Sequence, residues 1–230
     1  MEFQKYTYIS LLILSMIGPL MMSFESKIRF VKQWIYLIPA ILIPGSFFII
    51  WDALFTHFGI WSFNNDFVMG LYALGLPLEE WLFFAVIPFC SLFVYEVANH
   101  YLHFAKYEQK IRIFLTILGI VFLVLAIFNY KITYTFVTLL LNSIFIFVIL
   151  WQNMLKGKFT NFIIAYFISS IPMLIVNGVL TSFPVVEYNP LHFSNLRLGT
   201  IPIEDFGYFL LLFQMNFWVF EFFKQRNKNN

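Results

Sequence analysis

The chain is 230 residues long, 61% hydrophobic and only 11% charged, and its 14 Lys and Arg against 12 Asp and Glu leave a net charge of +2. A soluble domain of this size carries about 25% charged residues, so these are too few to coat a water-facing surface, while the apolar content excludes disorder. The basic residues are few and scattered, which argues against nucleic acid as a partner and leaves a polytopic membrane protein. Cys90 is the only cysteine, so no intrachain disulfide and no CxxC-type metal site is expected. Neither GxGxxG nor GxxxxGK[ST] occurs, so no nucleotide cofactor and no metal is expected. Glu2 and Lys5 cancel and no A-x-A site follows the first apolar run, which therefore reads as a span rather than a cleavable signal.

A helix needs about 20 apolar residues to cross a bilayer. In chain order the candidates are 7–23, 33–50, 78–97, 111–128, 133–150, 160–180 and 203–222. Two long loops, 51–77 and 181–202, carry Gly, Pro, Asn and aromatics, which suits irregular or re-entrant structure. With seven spans, Lys27, Arg29, Lys32, Lys106, Lys110, Arg112, Lys156, Lys158, Lys224, Arg226 and Lys228 fall on one side. Only Lys5, Lys131 and Arg197 fall on the other. Cation-rich loops stay cytoplasmic, so the N-terminus is expected outside and the C-terminus inside.

The chain repeats itself at a shift of 125 residues without a gap. Asp52 falls on Asn177, Thr56 on Thr181, Asn64 on Asn189 and Pro77 on Pro202. Glu79 falls on Glu204, Glu80 on Asp205, Phe84 on Phe209 and Glu96 on Glu221. The fold class expected is an all-α membrane bundle of about seven helices, arranged as a 3+1+3 repeat. Residues 1–100 form the first three-span unit, 101–131 a linker with one span, and 132–230 the second unit. The odd linker span makes the repeats parallel rather than inverted, so both copies of the P-x-E-[ED] motif meet the outer, cation-poor face.

Those motifs, Pro77-Leu78-Glu79-Glu80-Trp81 and Pro202-Ile203-Glu204-Asp205-Phe206, fit a plain helix start, since Pro and acids suit a first turn. Their apolar surroundings add a functional reading, because carboxyl groups near hydrocarbon are costly. Adjacent helical residues point about 100° apart, so the two acids of one motif are expected to play different parts. Asp52, His57, Trp61 and Asn64 precede the first motif, and Asn177, Thr181, Asn189, His192 and Arg197 the second. His57 has no histidine counterpart, since position 182 is Ser, and reads as structural. His100 and His103 fall on the cytoplasmic side, too far from the acids for a shared metal. Glu96 and Glu221 are expected at the inner helix ends, solvated or snorkelling.

The segments WDALFTHFGIWSFN, GLPLEEWLFF, NGVLTSFPVVEYNP and LRLGTIPIEDFGYFLL resemble the small-subunit type of carotenoid (lycopene) cyclase. That family carries two homologous three-span units, as separate subunits or fused, and this chain resembles the fused form over nearly its whole length. The resemblance implies conversion of lycopene to β-carotene without net redox change or cofactor. It implies Glu79, Glu80, Glu204 and Asp205 as catalytic acids. Trp61, Phe63, Trp81, Tyr188 and Phe206 are candidates to stabilise a carbocation, with Asn64 and Asn189 beside them at the substrate. The partners implied are a lipid-dissolved carotenoid, membrane lipids and other carotenoid-pathway enzymes, in the bacterial cytoplasmic membrane. The alternative is a proton-coupled transporter using the duplicated acids, for which the spans hold few polar residues to line a water path. A retinal protein needs a lysine in the last span, and 203–222 holds none. A purely structural subunit leaves the duplicated acids unexplained.

The cation distribution generates a test. Reporter fusions should place the tail at 224–230 in the cytoplasm and the N-terminus outside; both ends on one side would remove the seventh span.

Overall fold

The computed structural model describes residues 2–102 and 104–227. His103 and Lys228, both assigned above to the cytoplasmic side, lie outside the described residues. Among the described residues, seven helices are long and apolar enough to cross a membrane. They are α1 (Thr7–Met22), α2 (Trp34–His57), α3 (Leu78–Tyr101), α4 (Glu108–Phe128), α5 (Thr133–Trp151), α6 (Phe159–Ser182) and α7 (Ile203–Arg226). The protein is thus an all-α bundle with a 3+1+3 internal repeat.

The long loops are shorter and more regular than the sequence suggested. Residues 51–57 are not loop but the last two turns of α2, so Asp52 and His57 are helical. The remainder holds six short strands: β1 (Trp61–Phe63), β2 (Tyr72–Ala73), β3 (Leu76–Pro77), β4 (Val186–Tyr188), β5 (Arg197–Leu198) and β6 (Ile201–Pro202). Antiparallel pairing joins β2 to β3 and β5 to β6. Leu74 and Gly75, which connect β2 to β3, both take positive φ, 54° and 78°. That is the pattern of a type I′ hairpin turn.

A shift of 125 residues superposes α2 on α6, α3 on α7 and each of β1–β3 on β4–β6, end for end. The two halves meet where β1 pairs with β4. In that ribbon Ser62 lies opposite Glu187, its own counterpart at the same shift, with Trp61 opposite Tyr188 and Phe63 opposite Val186. The local two-fold axis therefore passes through the Ser62–Glu187 pair. Flanking bonds obey the same symmetry: Asn64 N–H donates to Val185 C=O (3.0 Å), and Asn189 N–H to Ile60 C=O (2.9 Å). Pairing of the two loops puts them at one end of the bundle, as parallel repeats require.

The helices pack crosswise. The second helix of each half lies on the third helix of the other, α2 on α7 and α6 on α3, while α4 lies against α5. At the end opposite the loops, Glu96 and Glu221 are not solvated: they are 6% and 2% exposed. Both project inward between the halves, where water cannot reach them, and a buried carboxylate there must be paired. Glu96 accepts hydrogen bonds from Gln33 and Asn99 and pairs with Lys224 at 2.6 Å. Glu221 accepts from Tyr95 (2.7 Å) and pairs with Lys158.

The seam between α5 and α7 is close at Gly207. A Cβ on Gly207 would lie 2.8 Å from Cγ2 of Thr138, and the Gly207 carbonyl accepts from the Asn142 amide at 2.8 Å. Overpacking of this kind costs about 1–3 kcal/mol, only partly offset by the ~1 kcal/mol helix preference of Ala over Gly. Gly207→Ala should therefore lower the thermal unfolding midpoint in detergent. Combination with Thr138→Ser, which removes the clashing methyl, should restore most of the loss.

Candidate active site

Each acidic motif opens a helix immediately after a proline, Pro77 before α3 and Pro202 before α7, and these prolines end β3 and β6. The acids occupy the first turn, and the turn angle sends neighbours in different directions. The structure accordingly divides the four acids into two pairs.

Glu79 and Glu204 turn back to the loops. Glu79 accepts the Met69 N–H and Glu204 the Ser194 N–H, both at 2.7 Å; residues 69 and 194 are again 125 apart. Glu204 also accepts the Thr135 hydroxyl. Both acids are buried, 0% and 4% exposed. Each supplies the acceptor that a loop N–H would otherwise lack.

Glu80 and Asp205 face one cavity, lined from both halves, together with Asp52 of α2. Tyr8 of α1 donates to Glu80 at 2.7 Å, and Tyr208 of α7 to Asp52 at 2.6 Å. Asp205 accepts from Tyr134 of α5 (2.8 Å), Tyr188 of β4 (2.8 Å) and the Asn177 amide of α6 (2.9 Å). The three carboxyl groups are 3%, 7% and 4% exposed for Asp52, Glu80 and Asp205. The β1–β4 ribbon roofs the cavity. Strand alternation points Trp61, Phe63, Val186 and Tyr188 inward and leaves Ser62 and Glu187 exposed.

Around the acids stand aromatic rings. Trp61 meets Tyr134 edge-on with centroids 5.2 Å apart, and Tyr134 stacks with Tyr188 at 6.1 Å. Tyr208 lies 5.2 Å from Trp51 and 6.3 Å from Trp61. Desolvation of the Tyr188 hydroxyl, followed by the charge of nearby Asp205, raises its pKa well above the usual phenol value. The neutral phenol is therefore favoured to higher pH, and Tyr188 stays a donor. Arg197 packs on the Phe193 ring at 4.8 Å and lies 5.9 Å from the Tyr188 ring.

Of the expected substrate contacts, Trp61, Phe63 and Tyr188 line this cavity and four others do not. Asn64 and Asn189 close matched turns, accepting the N–H of Asp66 (3.0 Å) and Leu191 (3.1 Å) two residues on. Asn side chains favour this turn because they mimic a backbone acceptor. Trp81 donates its indole N–H to Ala73 C=O at 3.2 Å and so pins the β2–β3 hairpin. Phe206 and Glu204 line a second, largely apolar cavity of about 390 Å³ among α4, α5 and α7. His57 is exposed at the end of α2, away from the acids.

Sequence reasoning left out Tyr8, Tyr134 and Tyr208, and counted Asp52 and Asn177 only as neighbours of the motifs. Tyr8 falls on Thr133 under the 125-residue shift, one position short of Tyr134. The repeat therefore hides the equivalence of the two tyrosines. The usable signal was depth: both sit in the first turn of a span, at the end that carries the acids.

A family profile described as Lycopene cyclase matches residues 5–98 and 131–223. No curated protein and no solved structure matches the chain.

The loop-anchoring role of Glu79 and Glu204 is testable by truncation. Glu79→Ala or Glu204→Ala strands a buried N–H, which costs about 1–3 kcal/mol. Each should lower the unfolding midpoint and speed hydrogen exchange at the Met69 or Ser194 amide, respectively. Unchanged exchange at that amide would refute the anchoring role.

Proposed function

The chain belongs to the lycopene cyclase family, and from that premise we propose that it is an integral-membrane lycopene β-cyclase working by acid–base chemistry in the single chamber between its halves. The observation that carries this reading is the meeting of Glu80 and Asp205, one from each half, on one buried aromatic cavity.

The chemistry needs a proton donor, a proton acceptor and a shielded place for positive charge. Protonation of the terminal double bond of a ψ-end gives a tertiary cation. The π electrons of the internal double bond then close a six-membered ring and move the charge to a ring carbon. Removal of a proton from the ring carbon that joins the chain forms the β-ring double bond. One proton enters and one leaves, so the step has no redox balance for a cofactor to carry. The faces of Trp61, Tyr134, Tyr188 and Tyr208 suit the cation, at about 0.5–2 kcal/mol each. Repetition at the second end turns γ-carotene into β-carotene. At about 60 Å³ the chamber is tight for a terminal isoprenoid unit, so lining side chains such as Phe83 and Leu180 shift as the chain is admitted. An apolar substrate of this length dissolves only in lipid, which suits a bundle in the bacterial cytoplasmic membrane with its N-terminus outside. Other carotenoid-pathway enzymes are its natural neighbours there.

Purified protein in lipid vesicles should cyclise lycopene without added flavin or nicotinamide, and pigment chromatography reads the product. Glu80→Gln and Asp205→Asn should each cut turnover by about 10²–10⁴-fold, the usual loss on removing a positioned acid or base. Both rings should be affected alike. A strict need for reduced flavin, or near-normal β-carotene from both variants, would overturn the mechanism.

A further inference from the structure

The two halves of the chamber are not chemically equivalent, and one difference is the exchange of a carboxyl for an amide. Asp52 and Asn177 occupy the same place, 125 residues apart. In the first half Asp52 and Glu80 line the same cavity, at the places where Asn177 and Asp205 bond to each other at 2.9 Å in the second. Two ionised carboxylates are acceptors only, so the same contact between two carboxyl groups requires one of them to carry a proton. Each accepts from one tyrosine hydroxyl: Tyr208 on Asp52 and Tyr8 on Glu80. In the second half the amide of Asn177 stands where a second carboxyl would be, and it donates to Asp205. Tyr134 and Tyr188 donate as well, so every side-chain hydrogen bond to Asp205 is one it accepts. The first half is arranged to hold a proton, the second to receive one.

We propose that the chamber is polarised: the Asp52–Glu80 pair delivers the proton that starts cyclisation, and Asp205 removes the proton that ends it. The assignment rests on the cyclase reading and adds Asp52 to the catalytic groups. In the balanced step, the shared proton leaves the carboxyl pair and bonds to the CH carbon of the terminal double bond of the ψ-end, using its π electrons and leaving the charge on the dimethyl-bearing carbon. The internal double bond supplies the electrons of the new ring bond. An Asp205 oxygen takes a proton from the ring carbon, whose C–H electrons become the ring double bond. Proton exchange with water at the loop end then returns Asp205 to carboxylate and reprotonates the pair.

Asp52→Asn tests this with little change of shape, since the second half already carries Asn at that place. An amide at 52 donates to Glu80 instead of sharing a proton with it. The experiment is cyclisation of lycopene in vesicles prepared in D₂O, with mass spectrometry of the whole carotenoid pool. Wild type should give β-carotene with one deuterium per ring. Asp52→Asn and Glu80→Gln should lose about 10²–10⁴-fold in rate, and their remaining lycopene should be unlabelled, because no cation forms. Asp205→Asn should lose a similar factor in β-ring formation, yet its pool should gain deuterium, either in lycopene returned from the cation or in rings with a displaced double bond. An unchanged unfolding midpoint and an unchanged absorption shift of bound lycopene separate these outcomes from misfolding. The polarity is overturned if the Asp52→Asn pool labels as the Asp205→Asn pool does, if the Asp205→Asn pool stays unlabelled, or if Asp52→Asn keeps near-normal turnover. Absence of any ring product from wild type would instead overturn the cyclase reading itself.

Discussion

A carboxyl group withdrawn from water has to find its donors, or its proton, inside the protein. Much of this bundle answers that requirement. At the loop end five buried acids find partners in three ways. Glu79 and Glu204 take backbone N–H groups, Asp205 takes two phenols and an amide, and Asp52 and Glu80 share one cavity wall with a tyrosine apiece. At the far end Glu96 takes Lys224 across the interface between the halves, and Glu221 takes Lys158 of its own half and Tyr95 of the other. Loop conformation, helix starts and the crosswise packing are all tied to these partners.

The β1–β4 ribbon gives the arrangement its centre. Only when Ser62 sits on its counterpart Glu187 can both loops contribute equally to one roof. A slip of one residue would turn Trp61 and Tyr188 outward and bring Ser62 and Glu187 over the cavity. The ribbon is only three residues per strand, but the symmetric bonds at Asn64 and Asn189 fix its register. It also converts a sequence repeat into a shared wall, so that neither half encloses the cavity alone.

The repeat and the spans were legible because they are written in residue type at fixed spacing. Cations mark the loops, apolar runs mark the helices, and Pro-x-acid-acid marks two helix starts. The cavity was legible only in part. Adjacent acids were expected to diverge, but which of them faces inward depends on how α3 and α7 rotate against their neighbours, and spacing says nothing of that. Asp52 looked like loop because the apolar run appeared to end near residue 50; tertiary packing of Trp51 and Phe55 carries the helix on. Glu96 and Glu221 looked solvated because they lie near helix ends, whereas each is buried against a partner from the other half, Lys224 on Glu96 and Tyr95 on Glu221. Tyr8 and Tyr134 escaped because their correspondence breaks the register that identified everything else.

On the proposed function, one cavity serves a substrate with two identical ends, and that has a consequence for traffic in the membrane. After the first ring forms, the unreacted end lies away from the chamber, at the far tip of a molecule long enough to cross the hydrocarbon core, about 30 Å. The half-finished pigment has to withdraw sideways into the lipid and present itself again end for end. The proposed reaction is in that case distributive rather than processive. The share of one-ring pigment in a cell then becomes a race between recapture and whichever neighbouring enzyme meets the intermediate first, settled by local crowding in the bilayer rather than by any residue of the chamber.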